Sequence, residues 1–250
     1  MRRLLAVSLI ALAVPVVVQA AANPVVVASK RTAAATSVTF QMAMTSTVAG
    51  QRSSVTGSGA IKGTSARLSM RLRAQAMTAR IDAILLQEAG KYVMYMRSPV
   101  FQSQLPRGKS WVRLDLSKHS ADLGVDFTSL INASQTFAPL EHGLVSTTQK
   151  GRVVIAGAPT TRYRVVVDVE RAARAVPTFG RQVLAIQRAT GVHLERLPYD
   201  VWIGSDRRIR RMSFTMPAPG AGKTVQTMTF LAFDEPVTIA APPRSQVVTR

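Results

Sequence analysis

The sequence has no cysteine. That excludes disulfide cross-links, zinc–thiolate sites, thiol catalysis and any lipid attached through a cysteine. Histidine is nearly as scarce: His119, His142 and His193 stand far apart and form no ligand-spaced pair. Zinc sites draw on several Cys, His or carboxylate ligands, so no metal centre is expected. Acidic residues are few as well, 13 against 32 lysines and arginines, for a net charge of +19. The carboxylates that could form a catalytic pair, Asp115, Asp168, Asp200 and Asp206, each sit beside arginine or at a strand end, where ion pairing and capping account for them. No Gly-x-Ser-x-Gly nucleophile elbow occurs. Neither an enzyme nor a cofactor is expected.

One motif imitates chemistry. Pro219-Gly220-Ala221-Gly222-Lys223-Thr224 resembles a phosphate-binding loop, but that loop needs a glycine where Pro217 stands, and a helix after it. A strand pattern follows instead, so the segment is predicted to be a hairpin turn.

The first 22 residues read as a cleavable secretory signal peptide: Arg2 and Arg3, an apolar run from Leu4 to Val18, then Val18-Gln19-Ala20 before a cleavage point. The run falls short of the ~20 residues that cross a bilayer, and no later run reaches that length. Cleavage takes two arginines and no acid, leaving a net charge of +17 on an exported chain. Such a charge suits anionic lipid head groups or acidic polysaccharide, and export argues against nucleic acid as a partner. Residues 23–35 show no firm period and are expected to form a mobile leader, with a single domain over residues 36–250.

From Thr36 onward the pattern has period two, the mark of half-buried strands. Phe40, Met42 and Met44 alternate with polar or small residues. Leu68, Met70 and Leu72 alternate with Arg67, Ser69, Arg71 and Arg73, and Tyr92, Met94 and Met96 repeat the theme. Gly57-Ser58-Gly59, Gly63-Thr64-Ser65 and Gly90-Lys91 are expected to be the turns between them. Short helices are expected over Pro99 to Leu105 and Asp122 to Leu140, the latter with Phe127, Leu130 and Ile131 on one side. A further helix runs over Thr178 to Ala189, capped by Thr178 and stopped by Gly191, with Phe179, Val183 and Ile186 in one stripe. Strands resume with Met212, Phe214 and Met216, then Met228 and Phe230. The predicted class is α+β, one continuous antiparallel sheet with helices on one side.

Ten methionines are many for such a chain. Methionine's unbranched thioether refits around irregular shapes. The apolar faces are therefore either an ordinary sheet core or the lining of a cavity closed by helices. A cavity would suit lipid: at ~0.8 kcal/mol per CH₂, removing a 16-carbon chain from water is worth roughly 12 kcal/mol. Arg207, Arg208, Arg210 and Arg211 are candidates to hold an anionic head group, or form a solvated charged face.

Four segments carry a resemblance spanning about residues 37 to 245. They are Gly108-Lys109-Ser110-Trp111-Val112-Arg113-Leu114-Asp115; Thr161-Arg162-Tyr163-Arg164-Val165-Val166-Val167-Asp168; Leu197-Pro198-Tyr199-Asp200-Val201-Trp202-Ile203 running into Arg208-Ile209-Arg210-Arg211-Met212; and Pro236-Val237-Thr238-Ile239 ahead of Pro242-Pro243. In that order they resemble the mycobacterial LppX/LprA/LprF/LprG envelope lipoproteins, related in fold to the carriers LolA and LolB. The resemblance implies a strongly curved half-barrel with helices on its concave side, around a hydrophobic cavity that carries acylated lipid or glycolipid. It also implies a partner among envelope transporters, and sheet-anchoring roles for Trp111, Tyr163 and Trp202. This chain lacks the cysteine that those lipoproteins carry after the signal peptide, and Gly204-Ser205-Asp206-Arg207 replaces a more acidic turn. The rival expectation is an envelope sensor or adaptor whose basic face binds a protein or an anionic polymer.

Overall fold

Alternating sequence and short turns build twelve strands: β1 (Ser37–Val48), β2 (Gln51–Lys62), β3 (Ser65–Ala74), β4 (Met77–Glu88), β5 (Lys91–Arg97), β6 (Trp111–Asp115), β7 (Leu144–Ile155), β8 (Ala158–Asp168), β9 (Arg196–Gly204), β10 (Ile209–Ala218), β11 (Gly222–Phe233) and β12 (Val247–Thr249). The computed structural model describes residues 22–75, 77–116 and 133–249. All twelve strands join one sheet in the order β12-β6-β5-β4-β3-β2-β1-β11-β10-β9-β8-β7. Neighbours are antiparallel except β12, which runs parallel to β6. The sheet is open, with β7 and β12 as its edges.

The turns at Gly63 and Gly90 form as expected, with φ of +54° and +79°. Gly57-Ser58-Gly59 does not turn; it lies inside β2. The glycines there serve space rather than conformation. A Cβ on Gly59 would fall 2.7 Å from the Phe40 ring and 2.7 Å from the Arg67 carbonyl oxygen. The Pro219–Thr224 segment is the β10–β11 hairpin turn, where the Gly222 N–H donates to the Pro219 carbonyl at 3.2 Å.

Five helices are described: α1 (Pro24–Ala33), α2 (Pro99–Gln102), α3 (Ala133–His142), α4 (Val169–Ala175) and α5 (Pro177–Thr190). α3 is the end of the helix expected from Asp122; Phe127, Leu130 and Ile131 lie outside the described residues. α5 ends as expected, with Gly191 at φ +69° and its N–H on the Gln187 carbonyl at 2.8 Å. Thr178 is not its cap. Val176 holds that position and Pro177 begins the helix, so the Thr178 hydroxyl turns to Gln135 Oε1 at 3.4 Å.

Residues 23–35 are no leader outside the domain. Asn23 caps α1 by accepting the Val25 N–H at 2.9 Å, and Val25, Ala28, Ser29 and Thr32 are buried at helical spacing. The stripe is small and partly hydroxylic, which hid it from a reading keyed to large apolar residues. Thr32 Oγ1 donates to the Ala28 carbonyl at 2.7 Å and accepts the buried Ile209 N–H at 2.8 Å, tying α1 to β10. Thr32→Val keeps the shape and orphans that N–H, at an expected cost of about 1–3 kcal/mol. Urea unfolding of Thr32→Val beside Thr32→Ser measures it, and a valine variant as stable as the serine one would contradict the tie.

The main core joins Val25 and Ala28 of α1, Phe137 and Leu140 of α3, Ala172 of α4 and Val183 of α5 to one face of β8, β9, β10, β11 and β1. A smaller cluster continues on that face under β3 to β5, around Ala66, Leu85 and Met94. On the opposite face Ile84, Val93, Tyr95 and Trp111 pack with Ile239 and Val247 of the C-terminal segment.

Candidate functional site

Because side chains alternate along a strand, register decides which residues share a face. Met70 stands opposite Gly57, Gly57 opposite Met42, Met42 opposite Met228, and Met228 opposite Met212. Four methionines and one glycine thus form a single cross-strand row from β3 to β10, on the face that carries the helices. A Cβ at Gly57 would fall 2.9 Å from the Ser69 carbonyl oxygen, 3.1 Å from Met70 Cγ and 3.4 Å from Met42 Cγ, so the two thioether chains occupy the space that a side chain at 57 would need.

Burial divides the expected lining residues. Phe40, Met212 and Phe230 are each only 5 % exposed, Met94 1 %, and Val183 is likewise buried; all five are packed core. Phe230 lies 5.6 Å from the Phe137 ring. Met42, Met44, Leu68, Met70 and Leu72 are half-buried, as are Tyr92, Met96, Phe214, Met216 and Met228. On α5, Phe179 and Ile186 are half-buried beside Val183, while Leu184 is exposed. The face is therefore closed near α1 and α3 and incompletely covered along the methionine row. Ala79, Ile81 and Ala83 of β4 extend it through their pairing with Leu72, Met70 and Leu68. Sequence reading passed over them, although their alternation with Arg80 and Asp82 was there to be seen.

The four candidate head-group arginines do not form one cluster. Arg207 sits in the β9–β10 turn with φ +58°. Arg208 pairs with Asp234 at 2.5 Å and Arg210 with Asp206 at 2.7 Å, both guanidiniums lying about 5 Å from the Phe233 ring centre. Hydrogen bonds from the Thr36 N–H and from Arg208 hold the Asp234 carboxyl below its ordinary range. A bulge between Ile209 and Arg211 changes the register, and Arg211 lands on the face opposite the main core, donating from Nε to Thr229 Oγ1 at 3.0 Å. Acids placed at the turn and at the end of β11 thus tie up two of the four charges, and the bulge sends a third to the other side of the sheet.

The anchoring residues also separate. Trp111 is buried in the cluster covered by the C-terminal segment, Tyr163 packs against the main core, and Trp202 lies between the guanidiniums of Arg162 and Arg211 at 5.4 and 5.8 Å. No helix among the described residues is long and apolar enough to cross a membrane.

No protein-family model and no curated protein matches the chain. Among solved structures it is similar to LprF from Mycobacterium bovis, at 17 % identity and a TM-score of 0.51, over 88 % of this chain and 95 % of that one. The Mycobacterium tuberculosis lipoprotein LppX aligns at 16 % identity and a TM-score of 0.47, over 87 % of this chain and all of its own. The resemblance read from the four sequence segments is borne out at the level of the fold: this chain has the LprF fold.

Proposed function

We propose that this protein is an exported, non-catalytic carrier that holds the acyl part of a lipid or glycolipid against the half-buried Met42, Met70 and Met228 of the methionine row, between the sheet and its helices. The observation that carries the reading is that row, in which the half-buried Met42, Met70 and Met228 stand in register beside the buried Met212. The LprF fold supports it, since the family that the sequence resembles works by enclosing acyl chains under a curved half-barrel. In this reading the signal peptide delivers the chain outside the cytoplasm. With no cysteine to anchor it, the carrier is free to move between an anionic membrane surface and a transporter partner in the envelope.

A fluorescent acyl probe tests the reading. Saturable uptake by the purified chain, competed by unlabelled fatty acid, is the expected result; linear, non-competed partitioning would reject it.

A further inference from the structure

The face of the sheet opposite α1, α3, α4 and α5 carries a recess of about 680 Å³. Gln41 of β1, Thr56 and Ser58 of β2 and Thr227 and Thr229 of β11 bring hydroxyls and an amide to it, and Met42, Gly57 and Met70 of the methionine row also border it. Arg71 and Arg80 stand at one wall and Arg211 at the other. A second hollow of about 400 Å³ on the same face lies between Arg52 and Lys223, which flank Thr47 in register.

Arg71 is directly opposite Arg80 across β3 and β4. Like charges so placed repel. Arg80 has Asp82 as an ion-pair partner at 3.2 Å, whereas Arg71 and Arg73 have none among the described residues. Arg162 and Arg164, on the same face, share the single carboxylate of Asp200 at 3.0 and 2.7 Å. Two guanidiniums that border the recess, Arg71 and Arg211, thus have no acid partner among the described residues, which is the electrostatics of a site for an anion.

The spacing selects the kind of anion. From Arg71 on β3 to Arg211 on β10 is four interstrand steps, roughly 19 Å at ~4.8 Å each. A single phosphate cannot reach both walls. A planar bilayer surface would meet the walls and leave the hydroxyls between them unsatisfied. A chain that carries repeated negative charges and its own hydroxyls satisfies both together, through charge-assisted bonds to guanidinium and ordinary ones to Ser, Thr and Gln. The geometry points to a binding site for an acidic polysaccharide on the face of the sheet opposite the main core.

Calorimetric titration of the purified chain tests this with a polygalacturonate oligomer, a neutral galactan of the same length, and vesicles of mixed phosphatidylglycerol and phosphatidylcholine. The acidic oligomer is expected to bind, with an affinity that falls as salt rises, and the neutral one not to bind. Arg71→Gln with Arg80→Gln and Arg211→Gln should weaken binding by at least about tenfold. Removing equal charge from the helices, by Arg174→Gln with Arg181→Gln and Arg188→Gln, should change it by less than ~twofold. The first triple variant should still fold, because relief of the Arg71–Arg80 repulsion offsets the loss of the exposed Arg80–Asp82 pair, and it should take up the acyl probe normally. Equal losses from both triple variants would overturn the site, as would binding of the neutral galactan. Vesicle binding that depends on Arg71, Arg80 and Arg211, with none to the oligomer, would overturn it in favour of a membrane surface. Loss of acyl uptake with oligomer binding intact would sink the carrier reading alone.

Discussion

Phe137→Ala is expected to lower the unfolding free energy by about 3–5 kcal/mol, the range for emptying an aromatic site in a packed core. Phe137 is 2 % exposed and is the largest of the fully buried side chains among the described residues. It meets Phe230 of β11 and joins α3 to a core shared with α1, α4 and α5. A domain stable by about 5–15 kcal/mol would lose a large fraction of that margin. Phe137→Leu retains most of the volume and should cost less than about 1.5 kcal/mol. Urea midpoints at equal slope measure both, and an alanine variant as stable as the native chain would mean that α3 is not docked on the sheet.

The second large effect concerns cargo. Met42→Gln with Met228→Gln keeps side-chain length and flexibility at two neighbouring positions of the row, but gives each an amide. An acyl chain lying there loses two apolar contacts, and at ~1.5 kcal/mol each the probe's affinity should fall roughly hundredfold. Val154, 64 % exposed on edge strand β7, is the matched control, and Val154→Gln should leave uptake unchanged. Because Met42 and Met228 are half-buried and Met212 supports them from β10, the fold should survive the change. Native affinity in the double variant would move the cargo off this face.

Much of this was legible before any coordinates, for a physical reason. Strand alternation is local, so Phe40, Met42 and Met44, or Met212, Phe214 and Met216, announce their shared face from sequence alone. What alternation does not reveal is register. That Met70, Gly57, Met42, Met228 and Met212 line up depends on pairings between residues as far apart in the chain as Met42 and Met228. Gly57 and Gly59 misled because glycine marks both turns and places where a neighbouring side chain needs the volume, and only the position of Phe40 and Met70 tells these apart. α1 escaped notice because its buried stripe is built from Ala, Ser and Thr besides Val25. The run Arg207 to Arg211 looked like one patch because proximity in sequence says nothing of the bulge at Ile209, or of Asp234 waiting at the end of β11. The basic recess went unread for the complementary reason, since Arg71, Arg80 and Arg211 become neighbours only through the sheet order.

A carrier of this kind holds an acyl chain on the methionine row. Mass spectrometry of an organic-solvent extract from the natively purified chain tests it most directly. A near-stoichiometric acylated lipid, depleted in the Met42→Gln, Met228→Gln protein purified in parallel, is the predicted result. An extract without acyl lipid from the native chain, or the same lipid at the same level from both proteins, would contradict it.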